Sequence, residues 1–152
     1  MHLGSKDLLR ESTDRQSDLS GLAPGTIVLT LDGELPVEHL APGDRVITRD
    51  SGVAVLRDVR VSEDYVAPVA IRAGSLGHTR PDRDMLVAPG TEVHIRDWRA
   101  RALFGADTAN VPAHRLVDRE FVTDATPRRM RLYTLVFDSR HIVYADGLEV
   151  VA

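Results

Sequence analysis

The sequence predicts an all-β fold in a single domain of 152 residues. Short apolar runs rich in Val, Leu and Ile recur along the chain, and Gly, Pro and Asp separate them at intervals of roughly 8–12 residues, a pattern typical of sandwiches and barrels. Helical periodicity is scarce, and no internal repeat of fixed period is visible. An aromatic content of only 5% leaves the core to aliphatic side chains.

About ten segments have strand character, and turn residues end most of them. In chain order these segments are Thr26–Leu31, Leu35–Leu40, Arg45–Arg49, Val53–Ser62, Val66–Ala73, Met85–Val87, Glu92–Arg96, Leu132–Phe137, His141–Ala145 and Leu148–Val151. Asp32-Gly33 predicts a hairpin after the first segment, and Asp138-Ser139-Arg140 predicts a hairpin that joins the eighth segment to the ninth.

The remaining segments differ in texture from the strands. Residues 1–19 are polar and charged, so we expect a flexible leader that precedes a domain spanning residues 20–152. Trp98–Phe104 fits either a short helix or a strand, and we expect Trp98 to pack in the core or at a cleft edge. Ala113–Val117 predicts one helical turn.

The composition narrows the classes of partner. A net charge of -4 argues against a general nucleic-acid binder, which needs a basic surface to neutralise phosphates, and the arginines at 128, 129 and 131 are interpreted as a solvated turn. No apolar run approaches the roughly 20 residues that cross a bilayer. The expected partners are therefore the chain's own leader or another protein, with the chain itself a monomer. No secretory signal is visible, so the chain is expected in the cytoplasm or exported without such a signal.

The generic catalytic patterns are missing from the sequence. There is no cysteine, which excludes disulfides, thiolate catalysis and Cys-ligated zinc. Neither a phosphate-binding loop nor a dinucleotide fingerprint occurs. The histidines do not fall in a spacing that would place two metal ligands on one face; they are His2, His39, His78, His94, His114 and His141. The residues therefore predict no metal and no cofactor.

One ordered set of motifs is more specific. The first part consists of Gly21–Gly33, Pro36–Leu40 and Pro42–Val46, and the second of Arg83–Pro89, Asp97–Ala100, Val111–Val117, Leu132–Leu135 and Phe137–Leu148. In this order they resemble the bacterial Hint (hedgehog/intein) domains of the Hint_2 subfamily, from about Gly21 to the C-terminus. The resemblance implies an all-β, horseshoe-like fold with pseudo-twofold halves.

The resemblance also implies an autoprocessing reaction. In the family a Cys or Ser at the first residue of the domain attacks the preceding carbonyl carbon, and the His of a [Ser/Thr]-x-x-His motif protonates the departing amide nitrogen. Here Gly21 stands at the nucleophile position, Ala88 at the hydroxyl position and Thr91 at the His position. Thr134 stands where a late motif often carries an acid or His, and the closing residues cannot cyclise. We therefore expect degenerate catalytic motifs and a domain that is not an enzyme.

Three alternatives remain open at this stage. Ser20 could act as a displaced nucleophile, so that residual self-cleavage would occur between Leu19 and Ser20. An engineered Gly21 would explain the missing nucleophile, but it would not explain Ala88 and Thr91. A β-rich peptide-binding or carbohydrate-binding module unrelated to the Hint family is the third alternative.

Two further positions keep residues that match the family pattern. His141 could lie in the old catalytic cleft with Asp138 orienting it. The interpretation that we favour is structural: Asp138 closes the turn from Phe137 to His141, and His141 bonds a backbone carbonyl.

Overall fold

Short strands dominate residues 18–152, the part of the chain that the computed structural model describes. The thirteen strands are β1 (Ile27–Thr30), β2 (Gly33–Pro36), β3 (Arg45–Thr48), β4 (Gly52–Val55), β5 (Asp58–Val66), β6 (Val69–Ile71), β7 (Met85–Val87), β8 (Glu92–Ile95), β9 (Ala109–Pro112), β10 (Val122–Asp124), β11 (Arg128–Val136), β12 (Ile142–Ala145) and β13 (Leu148–Val151). One helix, α1 (Trp98–Phe104), and two 3-10 turns, Val37–His39 and Ala113–Leu116, complete the set. Residues 1–17, and with them most of the predicted leader, lie outside the described residues.

The strands form three antiparallel groups. The largest is an eight-stranded sheet in the order β2-β1-β3-β12-β13-β8-β9, with β4 paired to β3. A three-stranded sheet has the order β10-β6-β7, and β5 and β11 form a two-stranded ribbon. Buried positions alternate with less buried ones in β1, β3, β8 and β12. No helix in this part of the chain is long and apolar enough to cross a bilayer.

The two halves of the chain repeat one local plan. The tetrapeptide Ala-Pro-Gly-Thr occurs at 23–26 and again at 88–91. Both copies turn tightly, since the Thr26 N–H donates to the Ala23 carbonyl at 3.2 Å and the Thr91 N–H to the Ala88 carbonyl at 3.0 Å. Each turn leads into a strand with the same alternating burial, β1 in the first half and β8 in the second.

The 3-10 turns follow the same plan. Val37 donates its N–H to the carbonyl of Thr26, and Ala113 donates to the carbonyl of Thr91, both at 2.8 Å. A proline in polyproline-like conformation precedes each 3-10 turn. The spacing between the matching pieces differs from one pair to the next, which explains why no fixed period is visible in the sequence.

Equivalent segments of the two halves meet in antiparallel fashion. β5 pairs with β11 from Asp58 opposite Val136 to Val66 opposite Arg128. Leu22 and Val87, the residues that precede the two turns, form an isolated antiparallel bridge. Antiparallel contacts between equivalent residues relate the halves by an approximate twofold axis that passes through both contacts.

The core fills the space between the sheets with aliphatic side chains. Val28 and Val93 hold equivalent places in β1 and β8, and both are fully buried. Leu56, which links β4 to β5, is also fully buried, and its N–H and C=O bond Asp44 and Gly43. These two bonds divide the predicted strand Val53–Ser62 into β4 and β5, because they take Leu56 out of both ladders.

The predicted hairpin at Asp138-Ser139-Arg140 is wrong. β11 pairs with β5, and β12 pairs with β13. The two strands that are neighbours in sequence therefore belong to different sheets, since β11 serves as the twofold counterpart of β5. Sequence proximity favours hairpins on average, but here the repeated plan of the halves overrides it.

The ambiguous segment Trp98–Phe104 is a helix. The Asp97 carboxylate accepts a hydrogen bond from the Arg99 N–H at its N-terminus, and Gly105 ends it in the left-handed conformation at φ 66°. The expectation for Trp98 is wrong for the core, because 69% of the residue is exposed, and it is confirmed for a cleft edge, because Trp98 lines a cleft together with Leu103 and Arg115. Its indole lies under the Arg99 guanidinium, 4.8 Å from the ring centroid.

Asp146 fastens the β12–β13 turn to β1. Its carboxylate Oδ1 accepts the Ile27 N–H at 3.0 Å, and its own N–H donates to the Ile27 carbonyl at 2.7 Å. Arg83 Nε lies 3.4 Å from the same Oδ1. Burial raises the pKa of the Asp146 carboxyl above its ordinary value, because desolvation disfavours the charged form more than these contacts favour it.

Substitution of Asp146 by Asn tests this burial. The raised folded-state pKa means that ionisation of Asp146 costs stability, a cost absent below the unfolded pKa and complete once the pH exceeds the folded pKa. Asn keeps an acceptor for the Ile27 N–H and carries no charge. We expect Asp146→Asn to be more stable relative to the parent at pH 7 than at pH 3. The free energy of unfolding of both proteins is measured at each pH in urea titrations followed by circular dichroism. An equal difference at both pH values would contradict the assignment.

Candidate functional site

The segment from Leu19 to Leu22 lies against the Ala88–Thr91 turn and is joined to it by backbone hydrogen bonds. The Gly90 N–H donates to the Leu19 carbonyl at 2.6 Å, and the Ala88 N–H donates to the Gly21 carbonyl at 3.1 Å. Leu22 exchanges two backbone hydrogen bonds of 2.9 Å with Tyr133 in β11. The turn and β11 therefore hold the start of the domain from two sides.

The Thr91 hydroxyl adds two hydrogen bonds to this contact. Its Oγ1 accepts the Gly21 N–H at 3.0 Å and donates to the Gly21 carbonyl at 3.1 Å. A hydroxyl has one proton to donate and lone pairs to accept, so both bonds can form together. Thr91 is buried, with 4% of the residue exposed, and water is therefore excluded from most of this contact.

The backbone conformation of Gly21 and its neighbours in β11 disfavour a side chain at this position. Its φ of +139° lies in a region that side-chain-bearing residues rarely adopt. A Cβ built on Gly21 would lie 3.0 Å from Leu132 Cβ and 3.3 Å from the Tyr133 carbonyl oxygen. The space beside this residue is thus filled by β11.

A cavity of about 40 Å³ adjoins Gly21. Its polar side chains are the hydroxyls of Ser20, Thr91 and Thr134 and the phenol of Tyr133. The other residues that line it, Ala152 among them, are Gly or have apolar side chains. Among the described residues, no side chain with a carboxylate, imidazole or amine lines it. Ala88 is fully buried and contributes only its backbone. Among the described residues no cluster of three His, Asp or Glu side chains could hold a metal ion.

Asp138 and His141 do not line this cavity. Asp138 accepts two hydrogen bonds from Arg57, at 3.0 and 2.8 Å, and that guanidinium lowers the pKa of the Asp138 carboxyl. His141 Nδ1 lies 3.0 Å from a carboxylate oxygen of Asp50. The structure therefore gives both side chains partners other than those that the sequence suggested, and it keeps Asp138 away from the His141 ring nitrogens.

Two residues of the site escaped the sequence analysis. Gly90 binds the Leu19 carbonyl, and Leu132 occupies the space beside Gly21. The repeated Ala-Pro-Gly-Thr tetrapeptide is the signal that could have found Gly90, because it marks two equivalent turns. No sequence signal points to Leu132, since its contact depends on how β11 crosses the start of the domain.

These features define an all-β domain that binds its own first residues between a turn and a long strand, at the contact between two related halves. The family model for the Hint domain matches residues 20–150. The chain therefore belongs to the Hint family, whose members carry out autoprocessing or splicing. This membership rules out the alternative of a β-rich module unrelated to the family. No curated protein matches the sequence.

Solved structures agree with the fold. The bacterial intein-like domain from Clostridium thermocellum has 16% sequence identity and a TM-score of 0.60, and the match covers 88% of this chain and 98% of that chain. The gp41-1 intein has 12% identity and a TM-score of 0.60, with 87% and 98% covered. The TvoVMA intein has 13% identity and a TM-score of 0.59, with 87% and 96% covered. At these identities the likeness establishes the fold alone.

Replacement of Thr91 by Val tests the hydrogen bonds between the Thr91 hydroxyl and Gly21. Val keeps the shape of Thr, but it leaves the Gly21 N–H without its acceptor, a loss that costs about 1–3 kcal/mol when the donor is buried. Thr26→Val is the matched control, because the Ala23 carbonyl that its hydroxyl binds keeps the Thr26 N–H. We expect Thr91→Val to lower the free energy of unfolding more than the control does, and to speed hydrogen exchange at the Gly21 amide. Equal losses of unfolding free energy in both variants would contradict a stabilising role of the hydrogen bonds between Thr91 and Gly21.

Replacement of Gly21 by Ala tests the closed space beside the chain. Gly52 also has a positive φ, +74°, but a Cβ there meets nothing within 4 Å, so Gly52→Ala reports backbone strain alone, about 1–2 kcal/mol. Gly21→Ala adds the contact with Leu132 and the greater strain of a φ of +139°, and overpacking of this kind costs a further 1–3 kcal/mol or so. Chemical denaturation of both variants measures the difference. A Gly21→Ala variant as stable as Gly52→Ala would show that β11 yields without cost.

Proposed function

We propose that this Hint domain holds its N-terminal leader in the processing site without cutting it, and that it serves as a folded binding module. The observation that carries the proposal is Gly21, which has no side chain and at which a Cβ would lie only 3.0 Å from Leu132 Cβ. The family reaction requires an electron-rich side chain at this residue to attack the Ser20 carbonyl carbon. A backbone hydrogen cannot supply that electron pair.

The group beside the Gly21 nitrogen gives further support. Cleavage before Gly21 would require its nitrogen to gain a proton from an acid whose pKa lies near the working pH. Thr91 Oγ1 accepts the Gly21 N–H and donates its own proton to the Gly21 carbonyl. The hydroxyl therefore accepts from the N–H of the Ser20–Gly21 peptide group, while its proton is directed to the carbonyl of the next peptide group. Interactions made in the ground state bind the segment without accelerating its cleavage.

A second candidate function, residual self-cleavage at Ser20, has one observation in its favour. The Gly90 N–H donates to the Leu19 carbonyl oxygen at 2.6 Å, which is the place for a donor that stabilises an oxyanion. Ser20 Oγ would attack the Leu19 carbonyl carbon, the Leu19–Ser20 C–N bond would break, and the hydroxyl proton would pass to the Ser20 nitrogen. We favour retention over this candidate because, among the described residues, no carboxylate or imidazole side chain lines the cavity beside Ser20.

Mass spectrometry of the full chain after prolonged incubation with hydroxylamine separates the two candidates. Retention predicts that the mass of the 152-residue chain stays unchanged. Cleavage through an ester at Ser20 predicts release of residues 1–19 as a hydroxamate and a remainder that begins at Ser20 with a free amine. Hydroxylamine finds no Asn-Gly bond to attack, because the only asparagine, Asn110, precedes Val111.

The Ser20→Ala variant is the control for this experiment. If the parent loses its leader and Ser20→Ala does not, the retention proposal fails and Ser20 is the nucleophile. If both lose residues from the N-terminus at scattered positions, a contaminating protease is responsible, and the incubation is repeated with inhibitors. An intact parent and an intact variant support retention.

A further inference from the structure

A cleft of about 200 Å³ lies in the second half of the domain, between α1 and the second 3-10 turn. Trp98 and Leu103 line it from the helix, and residues 115–118 line it from the other side. Among the described residues it shares no lining residue with the cavity beside Gly21. The cleft is smaller than the roughly 300–1,000 Å³ of a pocket for a small-molecule ligand. Its size suits a few side chains of a polypeptide.

The helix beside the cleft presents its large apolar side chains to solvent. Ala100 is the buried residue of α1, whereas Trp98 is 69% exposed and Leu103 is 53% exposed. A surface helix ordinarily directs its large apolar residues to the core and its polar ones to solvent. Because clustered apolar side chains on a surface mark interaction sites, this reversal indicates a docking surface at the cleft.

The charged groups at the cleft favour an acidic occupant. Arg99 is paired with the Asp97 carboxylate. The Asp118 carboxylate accepts backbone N–H groups of its own turn, from residues 120–122. Arg115 lies over an aromatic ring of α1, 5.0 Å from the centroid, and it forms no ion pair with the residues that the structure describes. The Arg115 guanidinium therefore offers a positive charge to a carboxylate at the edge of the cleft.

The chain enters the site beside Gly21 next to this cleft. The peptide group between Pro89 and Gly90 donates its N–H to the Leu19 carbonyl at 2.6 Å and accepts the His114 N–H at 3.0 Å. A single peptide group thus separates the two backbones, and the Leu19 carbonyl oxygen lies no more than about 8 Å from the His114 nitrogen. The residue after His114 is Arg115, which lines the cleft. The residues before Leu19 therefore start beside the docking surface.

The leader contains a segment whose chemistry matches this surface. Residues 1–17, which lie outside the described residues, include one pair of adjacent leucines, Leu8-Leu9, with Asp7 directly before the pair and Glu11 shortly after it. Two leucine side chains suit an apolar cleft of this size, and the flanking carboxylates suit the Arg115 guanidinium. An extended chain spans about 3.3 Å per residue, so the stretch from Leu9 to Leu19 is long enough, at roughly 30 Å, to return to the cleft.

We propose that the leader docks on this cleft within its own chain, with Leu8 and Leu9 against Trp98 and Leu103 and with the acidic neighbours of the pair facing Arg115. The docking rests on the proposed function, because it requires a leader that stays attached. Two leucines bind weakly as part of a free peptide, but attachment to the same chain raises their effective concentration to about the millimolar range. The leader then has a second anchor besides the hydrogen bonds of the processing site.

Trp98 is the only tryptophan of the chain, so its fluorescence reports on the cleft alone. Acrylamide quenching of the full chain is compared with that of a double variant that carries Leu8→Ser and Leu9→Ser. We expect the quenching constant to rise about twofold in the double variant, because the serines no longer cover the indole. Leu3→Ser is the matched control, since it removes an apolar side chain of the leader outside the pair, and we expect it to leave the constant unchanged.

Arg115→Glu tests the charge at the edge of the cleft. We expect the quenching constant to rise in this variant, because a carboxylate there repels the acidic neighbours of the leucine pair. In a chain that also carries Leu8→Ser and Leu9→Ser, we expect Arg115→Glu to add nothing, since both changes disrupt one contact. A further rise in that chain would show that Arg115→Glu acts on the surroundings of Trp98 without the leader.

The outcomes separate leader docking from leader retention. The mass of each chain is measured in the same samples and quenching is compared between chains of full mass, so loss of the leader overturns retention and is scored by itself. Equal quenching constants in the parent and the double variant overturn the docking. A quenching constant of the parent that falls as the protein concentration rises would identify a second copy as the occupant of the cleft, and that result also overturns the docking.

Discussion

The Thr91 hydroxyl holds both the N–H and the C=O of Gly21, and the arrangement of the site depends on this pair of bonds. Together with the amides of Ala88 and Gly90, it joins the segment from Leu19 to Gly21 to the Ala88–Thr91 turn. Thr91 thus bonds the N–H of the Ser20–Gly21 peptide group and the carbonyl of the peptide group that follows it. Among the described residues, no side chain with a carboxylate, imidazole or amine lines the adjoining cavity.

The twofold plan supplies the second constraint. Two copies of one turn, each followed by a strand and a 3-10 turn, bring equivalent residues into contact along β5 and β11 and between Leu22 and Val87. A contact on such an axis is shared by both halves. Changes at Leu132, which lies in this ribbon, therefore affect the site beside Gly21 even though Leu132 has no polar group to contribute.

Much of the fold is predictable from the sequence, because alternation of Val, Leu and Ile with turn residues fixes most strands. The pairing of β11 with β5 is not, since it depends on a relation between halves whose matching pieces stand at unequal spacings. In the site, the motif order leads to Gly21, Ala88, Thr91 and Thr134, and of these all but Ala88 line the small cavity. The partners of Asp138 and His141, Arg57 and Asp50, come from distant strands, and only the folded chain brings them together.

Glu38 has a consequence for the whole domain. Its carboxylate satisfies the Gly25 amide from within the first half, whereas the Gly90 amide receives the Leu19 carbonyl from outside the repeat. Counted from the two 3-10 turns, the residue equivalent to Glu38 is His114, whose own backbone N–H bonds the Pro89 carbonyl. The Glu38 side chain thus makes the Gly25 amide differ from the Gly90 amide, although the two turns otherwise match. The two related turns therefore have different roles. The Gly90 amide is open to the incoming Leu19 carbonyl, and the equivalent Gly25 amide is occupied by Glu38.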